Sequence, residues 1–462
     1  MSQIKLKNRT QVDLLKGPIF LSMIQFAIPV FFSSVFQQLY NTMDTMIVGH
    51  VLGDVSLAAI GAATPVYDLL IGFALGLGNG LSIVTARSYG SGDEKLLKKS
   101  VAVSLVIGAG ITLIITLMTR VALFPFLQIL HTPEEIIWES YSYISVITLF
   151  TGVMFAYNLC AGILRAIGNS FMPLLFLIFS SLLNVGLDFW FIAGLKMGIQ
   201  GAAVATVVSQ AVSVVLCVIY IIKKAPLLVP AKEHFKTDKD LYREMAAQGF
   251  SMGFMHCLVS AGSAILQVGI NGLGYLTIAG HTAARKLCQF CLMPFSAMIS
   301  AVNTFVSQNF GAGNIGRIRK SMKCAYLYNA GMTVGVMILL FIFAPDMVRI
   351  ISGSEEPVIL QNGAMYLRVV APFYFILGLI NDTRTALQAI GQKILPIVSS
   401  LIELVGKILF VIIFIPRFQY MAVIFCEPVI WCFMVVELLA AFWQNPHIKG
   451  KNPLIDTDSV DC

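Results

Sequence analysis

The chain has 462 residues, 57% of them hydrophobic and only 12% charged, with a formal net charge of +7. A soluble domain carries roughly 25% charged residues, so the composition excludes a soluble globular protein and leaves no room for a separate soluble catalytic domain. Residues 101–119 contain no charge, and at about 1.5 Å per helical residue such a run crosses the roughly 30 Å of a bilayer core.

In chain order, twelve helical spans are predicted, at roughly 18–48, 57–82, 100–120, 136–160, 170–193, 199–222, 247–271, 277–308, 320–344, 360–388, 395–416 and 420–444. Lys5, Lys7, Arg9 and Lys16 precede the first. That span is too long for a cleavable signal peptide and lacks the small-residue exit pattern. It contains Pro29, whose missing N–H interrupts the hydrogen-bond ladder and makes a candidate hinge. Tyr40 and Asp44 follow. Asp44 lies five residues before Gly49, about 7 to 8 Å below the outer rim, with Tyr40 one turn deeper on the same face. Asp68, in the second span, falls ~17 Å in, near mid-bilayer. It either attracts a cationic substrate or binds a neighbouring polar group.

A glycine turn, Gly90-Ser91-Gly92-Asp93, ends the second span. No strand precedes it and no Gly-Lys-Ser/Thr follows, so a phosphate loop is excluded; Asp93 is a candidate N-cap for the next helix. In the fifth span, Asn184 and Asp188 stand one turn apart, with Asp188 about five residues from the outer end. Asp44 and Asp188 therefore share a depth, each with a neutral donor beneath it. Charge at mid-bilayer costs at least ~3 kcal/mol and asks for a partner or a task. Two acids held close would resist double ionisation, which suits a proton or Na⁺ site. The alternative is that both only hold helix contacts near the outer water.

A polar linker, 223–243, follows the sixth span. The seventh has no carboxylate, the eighth carries Arg285 and Lys286, and the eleventh carries Glu403 and Lys407 one turn apart, spaced to pair. These cations either line a substrate cavity or are neutralised by acids such as Asp382. Asp382 and Arg384, near the inner end of the tenth span, read as rim residues, and Asn158 and Asn381 as equivalent polar helix contacts.

The second half repeats the first. Thr85-Ala86-Arg87-Ser88-Tyr89-Gly90-Ser91-Gly92-Asp93 returns as Val306-Ser307-Gln308-Asn309-Phe310-Gly311-Ala312-Gly313-Asn314, a shift of 221. Leu164-Arg165-Ala166-Ile167-Gly168 with Pro173 returns as Leu387-Gln388-Ala389-Ile390-Gly391 with Pro396, a shift of 223. Six spans per repeat make the two repeats parallel, related by an axis along the membrane normal. The expected organisation is a lobe at 1–222, a linker at 223–246, a lobe at 247–444 and a tail at 445–462. Basic residues cluster before the first span and after the second, sixth and eighth, whereas Asp54, Glu134, Glu135, Glu139, Glu355 and Glu356 occupy the opposite loops. That bias predicts both termini in the cytoplasm, and the net charge reflects topology, not nucleic-acid binding.

Tyr40-Asn41-Thr42-Met43-Asp44-Thr45 with Val48-Gly49 and Leu57-Ala58-Ala59 resembles the first-span signature of the multidrug and toxic compound extrusion (MATE) transporters. Gln308-Asn309-Phe310-Gly311-Ala312-Gly313 is similar to the loop after their eighth helix, and Asn184-Val185-Gly186-Leu187-Asp188 to their fifth-helix pattern. The pattern is closest to the prokaryotic branch with coupling acids in the N-terminal lobe. The resemblance implies an all-α fold of twelve helices in two six-helix lobes around a V-shaped cavity. It also implies export of amphipathic, often cationic compounds in exchange for H⁺ or Na⁺. Another branch carries a cation-binding Glu in the seventh span; its absence here argues against a Na⁺ site in the second lobe.

The sequence therefore predicts a secondary exporter in the cell (inner) membrane. Tyr40, Asp44, Asn184 and Asp188 form its ion-coupling set, and Pro29 is its hinge. Asp68, Arg285, Lys286, Glu403 and Lys407 are candidates for the substrate cavity. No cofactor or metal is expected beyond H⁺ or a Na⁺ held by Asp44, Asn184 and Asp188: the nine cysteines show no paired spacing on the outer loops, and Cys288 and Cys291, one helical turn apart, have no partner pair with zinc-site spacing. The expected partners are small amphipaths and the bilayer, with a monomer as the working unit. A flippase for lipid-linked precursors within the same superfamily is the alternative. An intramembrane enzyme lacks support, because no HExxH or comparable constellation occurs.

Overall fold

The computed structural model describes residues 10–130 and 132–449. Lys5, Lys7 and Arg9, used above for orientation, and the tail beyond residue 449 lie outside the described residues. Among the described residues there is no strand. The helices are α1 (Ile19–Leu52), α2 (Asp54–Gly90), α3 (Glu94–Ile129), α4 (Glu134–Leu149), α5 (Thr151–Ala166), α6 (Phe171–Asp188), α7 (Ile199–Lys224) and α8 (Lys239–Asn271). They continue as α9 (Tyr275–Gly311), α10 (Ile315–Ser352), α11 (Pro357–Val370), α12 (Tyr374–Ala389), α13 (Ile394–Leu409), α14 (Ile415–Phe418), α15 (Tyr420–Trp443) and α16 (Pro446–Lys449). Among the described residues eleven helical stretches are long and apolar enough to cross a membrane, and twelve when the bent pair α4–α5 counts as one.

The helices overrun the expected spans because apolar patterning stops at the first charges while the backbone ladder does not. The first turn of α3 is held by the Asp93 carboxylate, which accepts from the Leu96 N–H at 3.0 Å, and by a Glu94–Lys98 ion pair at 2.7 Å. Two spans that read as single helices are broken. The fourth bends by 50° at Phe150, just before Gly152, and the tenth passes through a tight turn at 371–373 that contains Pro372. The fifth and eleventh spans each widen into π-type turns, Phe189–Gly194 and Phe410–Phe414. Wide turns of this kind often mark functional positions.

The duplication extends to backbone geometry. Gly92 and Gly313, 221 residues apart, close equivalent turns at φ +74° and +76°. Gly198 (φ 63°, ψ −151°) has its counterpart in Gln419 (φ 47°, ψ −129°), where the second repeat keeps the turn without the glycine.

Two compact units emerge, and their boundaries differ from the expected lobes. One comprises Ile28–His256 with the stretch ending at Asp13; the other comprises Leu14–Ala27 with the chain from Cys257 onward. Residues 247–256, assigned from sequence to the second lobe, belong to the first unit. Their packing explains why. Gly76 and Gly80 of α2 face Gly249 and Gly253 of α8, and a Cβ on Gly80 would meet the Gln248 carbonyl oxygen at 2.6 Å. In a bilayer, where apolar side chains gain little by leaving lipid, such close backbone approach between small residues drives helix pairing. Leu77, Leu81, Phe155, Leu164 and Met245 complete this core.

In the second unit the stretch 14–17 is tied down by polar contacts. Asn309 Nδ2 donates to the Leu14 carbonyl at 3.0 Å, and Arg317 Nη1 donates to the Gly17 carbonyl at 3.0 Å. Large apolar side chains such as Leu113, Val121, Leu327 and Ile350 remain exposed, as expected of helices that face lipid.

Candidate functional site

In the first unit, α1, α6 and α7 bring four of the predicted residues together. Asp44 is 8% exposed; Asn184 and Asp188 are fully buried. The carboxyl groups of Asp44 and Asp188 lie within hydrogen-bonding reach of each other. The Asn184 amide nitrogen donates to Asp188 Oδ2 at 2.9 Å, and its amide oxygen accepts from the Thr206 N–H at 3.2 Å. Tyr40 donates its hydroxyl proton to Thr206 Oγ1 at 3.1 Å. One oxygen of each acid, Asp44 Oδ1 and Asp188 Oδ1, is buried without a donor among the described residues. Neither acid forms an ion pair with an Arg, Lys or His among those residues. Two carboxylates this close in a low-dielectric setting do not both stay charged unless a cation sits with them.

Thr206 was not foreseen. It shares an Ala- and Val-rich span with the hydroxyls of Ser209 and Ser213, and its role depends on α7 meeting α1 and α6. Tyr143 on α4 and Tyr67 on α2 also lie within electrostatic reach of Asp44. Tyr67, not the candidate Asp68 beside it, faces the interior. One residue turns a helix by about 100°, and the Asp68 side chain sits on the exposed face while Tyr67 is half-buried. Pro29 stands two residues past Ala27, where α1 passes from one compact unit to the other. Asn158 donates its amide to its own helix at the Met154 carbonyl, 2.8 Å away.

The second unit holds a different set. Arg285 Nη1 donates to both Glu427 oxygens at 3.2 and 3.0 Å, and Tyr366 donates to Glu427 Oε2 at 3.2 Å. Lys407, 2% exposed, reaches Glu403 at 2.9 Å and Glu427 at 3.5 Å. Arg384 Nε donates to Ser399 Oγ at 3.0 Å, and its Nη2 approaches Glu403 only to 3.9 Å. Arg285, Tyr366, Arg384, Glu403, Lys407 and Glu427 line a cavity of about 240 Å³. The expected Glu403–Lys407 pair is present.

Three expectations for this half need correction. Asp382 does not neutralise the cations: it is fully buried and accepts from Asn329 Nδ2 at 2.8 Å. Glu427 takes that role, and it was legible as a lone acid inside the apolar run 421–433. Asp382 and Arg384 are buried residues, not rim residues, because α12 runs through the interior of the unit. Lys286 is exposed and absent from the cavity lining, since it points about 100° away from Arg285.

The comparisons with known proteins agree with this architecture. The MatE family pattern matches residues 29–190 and again 252–413, covering more than half of the chain and restating the internal repeat. The chain is 25% identical over 398 residues to "Probable multidrug resistance protein YoeA" of Bacillus subtilis (strain 168), covering 85% of this chain and 86% of that one. It is 23% identical over 426 residues to "Multidrug export protein MepA" of Staphylococcus aureus (strain MSSA476), covering 92% of each. An outward-facing multidrug resistance MATE family transporter of the MOP superfamily superposes with a TM-score of 0.87 at 22% identity, covering 95% of this chain and 99% of that structure. Two copies of one family pattern on two six-span repeats identify the chain as a member of the MatE family, a multi-pass membrane transporter.

Proposed function

We propose that this transporter is a multidrug exporter of the cell membrane, exchanging amphipathic, mainly cationic compounds for H⁺ or Na⁺. In this reading Asp44 and Asp188 take up the ion, Asn184 and Tyr40 position them, and Thr206 joins α7 to the set. The observation that carries the reading is the pair of buried, mutually facing carboxylates without a protein cation among the described residues. An incoming proton or Na⁺ relieves the repulsion; its departure restores it. The energy difference between those states is what a coupled transporter needs to bias two conformations. Pro29 supplies a point at which α1 bends in response. The names of the relatives support the multidrug character, and the basic-residue bias supports cytoplasmic termini.

Ethidium efflux from vesicles under an imposed ΔpH or ΔNa⁺, applied separately, tests the reading and names the ion. Asp44→Asn removes the titratable oxygen while keeping the shape, and is expected to abolish gradient-driven efflux with the protein still in the membrane. Undiminished efflux by that variant overturns the mechanism.

A further inference from the structure

The charged network of the second unit occupies the repeat counterparts of the coupling cluster. Lys407 stands where Asn184 does, at the offset of 223 that aligns Pro396 with Pro173. Glu427 stands where Thr206 does, at the offset of 221 that aligns Gln419 with Gly198, and Tyr366 is the counterpart of Tyr143. The place that gathers unpaired carboxylates in one unit gathers cations in the other.

The hydrogen bonding there is uneven. Both cavity-lining carboxylates are engaged: Glu427 by Arg285, Lys407 and Tyr366, and Glu403 by Lys407 with Arg384 at longer range. Neither is left over for an incoming ammonium group. The cations are not used up. Three of them, Arg285, Arg384 and Lys407, line the cavity against two acids. Arg384 is only 7% exposed, and its Nη2 has no hydrogen-bond acceptor among the described residues. Glu437 acts on Arg384 electrostatically but lies beyond ion-pair distance and outside the lining. A guanidinium presents its N–H groups as a planar fork that matches a carboxylate or phosphate.

The remaining walls include Tyr374, Leu377 and Trp431, which suit an aromatic or aliphatic body. At about 240 Å³ the space is smaller than the roughly 300–1,000 Å³ of pockets that bury drug-sized ligands. It fits an acidic head group with one or two rings.

We propose that the second unit binds the oxyanion head group, carboxylate or phosphate, of an amphipathic ligand in this cavity, with Arg384 as the donor the protein leaves unused. Binding needs no gradient, so the proposal stands or falls separately from ion coupling at Asp44 and Asp188.

The test is equilibrium binding of tritiated 2-naphthoate to the full-length protein in phosphatidylcholine nanodiscs, with displacement by unlabelled 2-naphthoate, 2-naphthamide and 2-naphthylmethylammonium. The acid is expected to displace at a concentration at least about tenfold lower than the amide or the ammonium ion. Arg384→Met is expected to weaken 2-naphthoate binding by about tenfold, and Arg384→Lys, which keeps the charge but loses the planar fork, by a smaller but measurable factor. Competition by phosphatidylglycerol in the disc would identify a lipid head group as the natural source of the oxyanion. Its absence would identify a freely diffusing organic acid, and both fit the site. Equal or tighter displacement by the ammonium ion overturns the proposal on the unaltered chain, with no variant needed. So does unchanged 2-naphthoate binding in a folded Arg384→Met protein.

Discussion

Asp44 and Asp188 face each other without a protein cation among the described residues, while Glu427 lies between two. The same residue chemistry therefore serves two ends. An unpaired buried acid is costly and, in the proposed mechanism, is where the ion enters, whereas a paired one is structural and carries its partners with it. Removing Glu427 leaves Lys407 almost fully buried with Glu403 alone, and breaking such a pair costs about 3 kcal/mol. Glu427→Gln should lower the thermal midpoint in detergent, and adding Lys407→Met should recover part of the loss. A double variant no better than the single would deny the coupling. Thr206 offers a finer test. Thr206→Val removes the acceptor of the Tyr40 hydroxyl but leaves the Thr206 N–H that holds Asn184. An unsatisfied buried hydroxyl costs about 1 to 3 kcal/mol. Ethidium efflux should fall several-fold, less than in Asp44→Asn, with expression unchanged.

At the scale of the element, the breaks and wide turns matter more than the spans. Asp188 closes α6 immediately before a π-type turn, and Lys407 lies one turn before its counterpart in the second unit. Both polar clusters thus sit where the helical ladder loosens and a side chain is re-aimed. Span positions were legible because each apolar run is long and charge-free. The break at Phe150 and the π-type turns were not, because apolar periodicity is the same on either side of them. Gln419 shows what divergence after duplication costs. It holds the conformation of Gly198 with a side chain attached, a strain on the order of 1 to 3 kcal/mol. Gln419→Gly should raise the thermal midpoint, and a lowered midpoint would mean that the Gln side chain contributes more than its backbone strain removes.

For the whole molecule, the basic-residue bias predicts the topology. Lys95, Lys98 and Lys99 should lie on the cytoplasmic side, with Glu134 and Glu135 outside. A cysteine placed at Glu135 should react with an impermeant maleimide in intact cells and one at Lys95 should not; the opposite pattern would invert the orientation. Composition, run length and the shifts of 221 and 223 were enough to determine a twelve-span membrane protein built from two parallel repeats. Those properties follow from lipid solvation of each segment and need no tertiary contact. The pairing of Asp44 with Asp188 was also within reach, since depth along a helix is a matter of counting. Tertiary structure alone decided which helix faces meet. It assigned 247–256 to the first unit through the glycines of α2 and α8, brought Thr206 to Tyr40, and gave Arg285 its partner in Glu427. The physical reason is that insertion into lipid is local to each span, whereas a buried polar group is satisfied only by whichever helix packs beside it.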